Sequence, residues 1–298
     1  MSATASTIKA NGIDICHEEF GEADDPPLLL IMGLGAQMIA WDDEFCQSLS
    51  GRGLRVIRFD NRDVGKSTWW DTPDLDLAVE MTKAMSGQPI TAPYLLSDMA
   101  ADAAGLLDAL DISAAHIVGA SMGGMIAQTF AIEHPDRTLS LTSIMSTTGD
   151  PDVGQPKPEM LAILLQPAPQ SRDTAIEQAV NGARAISWPE HFDEERTRER
   201  AAKNYDRAFN PVGVGRQILA IQASGSRSAG LAELHVPTLV IHGRGDPLVQ
   251  LSGGERTAAV IPDAELLVID DMAHDLPQAH WSQIIERITT LASRAPVA

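Results

Sequence analysis

Short apolar runs recur along the chain, each closed by turn residues: PLLLIMG (27–33), LRVIRFD (54–60), AHIVGA (115–120), LSLTSIM (139–145), PTLVIHG (237–243) and AELLVID (264–270). They are short and continuous rather than alternating, which predicts strands of a parallel sheet buried on both faces. Helical periodicity fills the intervals at 97–110, 122–134, 252–260 and 278–292; in the first of these, Met99, Ala103, Leu106, Leu107 and Leu110 share one face. Strand and helix alternate, so the chain reads as α/β, a mostly parallel twisted sheet flanked by helices. Near the start, Asn11-Gly12 separates two strand-like halves, the signature of a hairpin.

The alternation breaks between 149 and 232, where the spacing turns helical throughout. We expect this segment to be an inserted helical cap over the carboxyl edge of the sheet, with 1–148 and 233–298 forming the core. Its charge run DEERTRERAAK reads as the solvated face of a helix. A second excursion, 68–93, carries Trp69, Trp70, Met81 and Met85. Together with Trp188 of the cap segment, these large, adaptable side chains are candidates for lining a substrate pocket.

Composition excludes several classes of function. The 298 residues are 44% hydrophobic, enough for a large core, and 22 basic against 41 acidic residues give a net charge of −19. Such a field repels nucleic acid and anionic lipid surfaces. The two cysteines, Cys16 and Cys46, supply neither a disulfide framework nor metal-ligand spacing, and no His, Cys and carboxylate cluster has such spacing in the chain. No apolar run approaches the roughly 18 residues of a membrane span, and the first residues lack an apolar signal core, so a cytoplasmic location is expected. Subunit number is left open, a homo-oligomer included.

Two nucleotide-like motifs fail on inspection. GLGAQM (33–38) has Met38 where a dinucleotide fingerprint needs its third glycine, and GKS (65–67) has Asp60 where a phosphate loop begins with glycine. No cofactor is expected. GASMG (119–123) is different: a glycine-serine-glycine pattern arises by chance about 0.1 times in a chain of this length, but here it sits where an apolar strand passes sharply into a helix. That is the setting of an activated serine, with small neighbours that let strand and helix close around Ser121.

A serine hydroxyl needs a base, and the base needs an orienting carboxylate. Asp246 and His274 both follow later strands, at the edge where open α/β sheets place their sites. Of the other histidines, His242 lies within its strand and is read as packing or bonding locally, His280 lies inside the final helix, and His17, His116, His134, His191 and His235 precede strands, follow helices or lie in the insertion. Asp270, Asp271 and Asp275 stand too close to His274 in sequence to orient its imidazole well. The backbone N–H groups of Leu34 and Met122 are the expected donors to a developing oxyanion.

Together these residues resemble the α/β-hydrolase superfamily over 8–148 and 233–298. Besides GASMG, the stretch DNRDVGKST (60–68) is similar to the superfamily's Asp-x-Arg-Gly-x-Gly-x-Ser loop, with Asp63 in place of its first glycine. LLLIMG, WDDEF and HIVGASMG are similar to the aclacinomycin methylesterase type, although Met32-Gly33 replaces the His-Gly common among relatives. The resemblance implies a Ser121, Asp246, His274 triad beneath a helical lid. We expect a cofactor-free carboxylesterase, and the apolar candidate pocket residues and the net charge point to neutral, largely apolar esters of small to medium size. Lactone, thioester or carbon-carbon bond hydrolysis on the same residues, or ligand binding with little turnover, are the alternatives.

Overall fold

Leu28 and Leu30 pack on one side of the sheet with Trp41, Phe45 and Ile284, while Leu29 and Ile31 pack on the other with Leu106, Ile117 and Phe130. An unbroken apolar strand is therefore what a sheet covered on both faces requires. The computed structural model describes residues 4–72, 75–164 and 166–294. The chain runs β1 (Ser6–Ala10), β2 (Ile13–Phe20), β3 (Pro27–Ile31), α1 (Asp43–Ser50), β4 (Arg55–Phe59), α2 (Leu77–Met85), α3 (Leu96–Ala109), β5 (Ala115–Ala120), α4 (Met122–Glu133) and β6 (Thr138–Ile144). It continues through α5 (Pro158–Leu164), α6 (Arg172–Ile186), α7 (Glu194–Arg207), α8 (Pro211–Ser224) and α9 (Ser228–Ala232), then β7 (Thr238–Gly243), α10 (Ser252–Val260), β8 (Glu265–Ile269) and α11 (Gln278–Ala292).

The eight strands lie in the order β1-β2-β4-β3-β5-β6-β7-β8. The β1-β2 and β2-β4 pairs are antiparallel and all the rest are parallel. Asn11 and Gly12 both take positive φ, 46° and 78°, which is what the two-residue hairpin between β1 and β2 demands. No helix among the described residues is long and apolar enough to cross a membrane.

Among the described residues, five α-helices occupy the interval between β6 and β7, and four of them divide in two by packing. The helices α6 and α7 share their own small core of Ile176, Val180 and Ala201. By contrast Ala220 of α8 and Leu231 of α9 are fully buried in the main core. The last third of the interval is thus bound to the body of the sheet rather than raised over it.

Asp63 explains how α8 is held. Its φ of 71° is the left-handed value that favours glycine, yet the side chain has a use there. The buried carboxylate accepts two hydrogen bonds from Arg216 of α8, at 2.9 and 2.7 Å, one from the Tyr94 hydroxyl at 2.6 Å and one from the Trp70 amide at 2.8 Å. Asp63→Gly should relax the backbone but leave Arg216 buried without its partner, costing about 3 kcal/mol in urea unfolding. Pairing it with Arg216→Leu should recover much of that loss, and a double variant no more stable than the single one would show that the pair does not carry the attachment.

Candidate active site

The strand β5 is buried at every position and ends at Ala120; Ser121 then takes φ 57° and ψ −122°, and α4 begins at Met122. The glycines explain why the chain can turn so sharply. A Cβ at Gly119 would stand 2.0 Å from the Gly123 carbonyl oxygen, and one at Gly123 would stand 2.1 Å from that of Ile31. Any larger residue would force strand and helix apart. The turn is fixed by the Ser121 N–H donating to Ile144 O at 2.9 Å and by the Ser146 hydroxyl donating to Ser121 O at 2.8 Å.

Three residues distant in sequence meet at this turn. His274 Nε2 lies 3.0 Å from Ser121 Oγ, and its Nδ1 lies 2.7 Å from Asp246 Oδ2. The other oxygen of Asp246 accepts the backbone N–H groups of Leu248 and Val249, both at 2.8 Å. The carboxylate is therefore held on both sides, and burial alone would raise its pKa. Charge and hydrogen bonding from His274 and His242 outweigh burial and hold it at about 2. With Asp246 ionised, the histidine carries its proton on Nδ1 and presents Nε2 as an acceptor to the serine hydroxyl.

The neighbouring carboxylates are engaged elsewhere. Asp270 pairs with Arg244 at 2.7 Å, Asp271 with His191 at 2.8 Å, and Asp275 accepts the Ala273 N–H. His116 bonds Ser140 within the sheet, and burial lowers its pKa to about 4. His242 is wholly buried and does bond locally, to Val249 O at 2.7 Å, but it also places Nε2 3.4 Å from Asp246 Oδ2. This approach to the acid was missed in the sequence, where only the four-residue interval between them hints at it.

Gly33 backs directly onto the serine: a Cβ there would lie 3.0 Å from Ser121 Cβ. Leu34 follows it, and Met122 opens α4, where a backbone N–H has no intrahelical carbonyl to meet. With methionine at position 32, other groups hold this loop. Asn61 Nδ2 donates to Met32 O, Gln217 Oε1 accepts from Gly35, and Asp60 Oδ1 accepts from Met38, each at 2.8 Å.

A cavity of about 460 Å³ opens beside His274. One wall includes Met32, Trp41, Phe45 and Met145; the opposite wall combines Ala179, Ala183 and Ile186 of α6 and Phe192 with the α7 residues Arg196, Thr197, Arg200, Ala201 and Asn204. The charge run read as solvated is thus so only in part: Glu194, Glu195 and Glu199 are exposed, whereas Arg196 and Thr197, and Asn204 just beyond the run, are half-buried against the cavity, and Arg200 reaches its rim. None of the five expected pocket residues lines this cavity. Trp69 and Met85 are exposed, Met81 is half-buried on α2, and Trp70 packs its ring face under the Arg62 guanidinium and meets Tyr94 edge to face. The ring of Trp188 fills the space over Gly245, behind the Asp246 loop. Size and apolar character marked these positions, but Trp70 and Trp188 pack onto the body of the protein and Trp69 and Met85 face solvent.

Residues 26–277 match the alpha/beta hydrolase fold family. Rhodomycin D methylesterase from Streptomyces sp. strain C5 is 32% identical, over 91% of this chain and 92% of its own length. The rhodomycin D methylesterase of Streptomyces peucetius is 31% identical over the same shares. Among solved structures, the enol-lactonase of Burkholderia xenovorans LB400 superposes with a TM-score of 0.75 at 20% identity, covering 97% of this chain and all of that one.

The depressed pKa of Asp246 has a consequence for stability. A carboxylate held at about 2 rather than 3.8 stabilises the folded state fully above the ordinary value and loses that contribution as pH falls toward 2. The loss should be on the order of 2 kcal/mol between about pH 5 and pH 2. Urea unfolding across that window should show it in the wild type and show a correspondingly smaller decline in Asp246→Asn; equal declines would mean that Asp246 is not held in this way.

Proposed function

The chain belongs to the alpha/beta hydrolase fold family, and on that premise we propose that it is a serine carboxylesterase working without a cofactor. The observation that carries this reading is the continuous line of hydrogen-bond contacts from Asp246 through His274 to Ser121 Oγ. His274 takes the hydroxyl proton as Ser121 attacks the ester carbonyl, and the N–H groups of Leu34 and Met122 receive the oxyanion. The alcohol leaves with the proton from His274, and water activated by the same imidazole releases the acid. Methylesterase activity in the two relatives at 31–32% identity supports ester hydrolysis over the lactone and carbon-carbon alternatives.

The cavity supports a neutral, largely apolar substrate. Trp41, Phe45 and Met145 offer an apolar wall, while Arg196 and Arg200 share the rim with Asp42, Asp193 and Asp275. Two cations facing three carboxylates give an anion no net attraction, and the overall charge of −19 opposes its approach. The arginines can instead donate to carbonyl or hydroxyl oxygens of a bulky ester.

Ser121→Ala should abolish acyl-enzyme formation while the chain still folds. His274→Ala should lower kcat by roughly 10⁴-fold or more, and adding Asp246→Asn should cost little further, because the two act on one step. Additive losses in that double-mutant cycle would refute the shared role. For the substrate, the ratio of kcat/KM between a bulky aryl ester and its methyl-sized analogue should fall in Phe192→Ala, which opens the cavity wall, by an amount worth roughly 1–3 kcal/mol. Trp69→Ala should leave the ratio unchanged; a fall there and none at Phe192 would place the pocket elsewhere.

A further inference from the structure

On the seam between cap and core, three side chains from three separate elements converge. His191 closes a short 3-10 turn, Pro189–His191, in the cap; Asp271 follows β8; His280 lies in the first turn of α11. His191 Nε2 lies 2.8 Å from Asp271 Oδ2 and His280 Nε2 lies 3.0 Å from Asp271 Oδ1. The two imidazoles stand edge to face, with centroids 5.1 Å apart. One donor atom from each of the three residues lies within 4.8 Å of the other two, the one such cluster among the described residues. His280 Nε2 is shut off from solvent and has no hydrogen-bond partner, since it approaches the carboxylate off the line that a hydrogen bond needs. His191 is aligned with Asp271 Oδ2, so the ring nitrogen of His280 is the one that faces the cluster without a partner.

We propose that His191, Asp271 and His280 form a binding site for a divalent transition-metal ion of the zinc class, and that the ion clamps the cap to the core. Two imidazole nitrogens and one carboxylate oxygen are the donor set that such ions prefer over the all-oxygen shells of calcium and magnesium. Metal–ligand bonds of roughly 2.0–2.2 Å set tetrahedral ligands a little over 3 Å apart, so the side chains need only small adjustments to enclose an ion. The carboxylate is half exposed, at 49%, which leaves a path of entry and an open coordination position.

The position gives the clamp its consequence. Asp271 stands three residues before His274, whose own N–H donates to Ile186 O of the cap at 2.8 Å, and His191 adjoins Phe192 on the cavity wall. An ion here would tie the cap to the loop that carries the imidazole at a second point. The inference does not depend on the esterase reading, because its test is binding.

The purified full-length chain, freed of metal with a chelator, is titrated with Co2+ and with Zn2+. We expect one saturable site per chain, the intense visible absorption of four- or five-coordinate Co2+, its displacement by Zn2+, and a Zn2+-dependent rise in Tm. His280→Gln and Asp271→Asn, which keep the side-chain volume, should each weaken binding at least ten-fold and remove the rise in Tm, with circular dichroism confirming that both fold. His191→Ala should do the same from the cap side. Absence of saturable binding to the wild type would overturn the proposal and leave a hydrogen-bonded clasp; binding that survives all three substitutions would assign the metal to the acidic surface instead.

Discussion

The close approach of β5 to α4 is the constraint on which the site depends. Ser121 keeps a positive φ only because the chain on either side of it cannot relax: Gly119 lies against the Gly123 carbonyl and Gly123 against the carbonyl of Ile31, with no room for a side chain at either. That contact lifts the hydroxyl above the carboxyl end of the sheet and aligns the first turn of α4 behind it. It also fixes the distance to β3, so that the loop after Ile31 must pass directly over the serine. The strain is local, and the fully buried strands on either side resist its release.

Everything downstream is arranged to meet that one fixed point. The strands β7 and β8 pair in parallel beyond β6, so the turns that follow them emerge at the same edge as Ser121. Asp246 is pinned by two backbone N–H groups before it receives the imidazole, and Gly243 permits the approach of the His274 loop, since a Cβ there would lie 2.4 Å from Met272 O. The low pKa of Asp246 follows from this convergence rather than from exposure, for burial alone would have raised it.

What could be read in the sequence follows the range of the forces involved. Strands, the hairpin and the turn at Ser121 are set by neighbours within a few residues, and GASMG carries its own steric reason for being there. Asp246 and His274 were legible because parallel topology brings every strand's end to one edge, a rule that needs no knowledge of side-chain contacts. The cavity was not legible in this way. Trp69 and Trp188 are large and apolar wherever they lie, and only tertiary packing decides that one faces solvent and the other covers Gly245. The same holds for Asp63, which reads as a departure from a glycine pattern but becomes intelligible once Arg216, 153 residues away, is seen to bind it.

The helix α7 illustrates why charge runs resist a single reading. Ala201 is its one buried residue, so no broad apolar stripe announces which side faces inward. Its direction is set by contacts at its ends instead: Gln37 bonds Asn204 O and Ala208 O, and Arg207 reaches both Gln37 and the buried Asp60. These bonds join the C-terminal turn of α7 to the loop that follows β3, the same loop that passes over Ser121. The helices α6 and α7 are therefore tied to the loop after β3 through Gln37 and to the His274 loop through the bond of the His274 N–H to Ile186 O at the end of α6. The small contact of Ala201 with Ile176 and Val180 is thus supplemented by polar bonds at the C-terminal turn of α7 and, through Ile186, at that of α6, and these orient the face that brings Arg196 and Asn204 to the cavity.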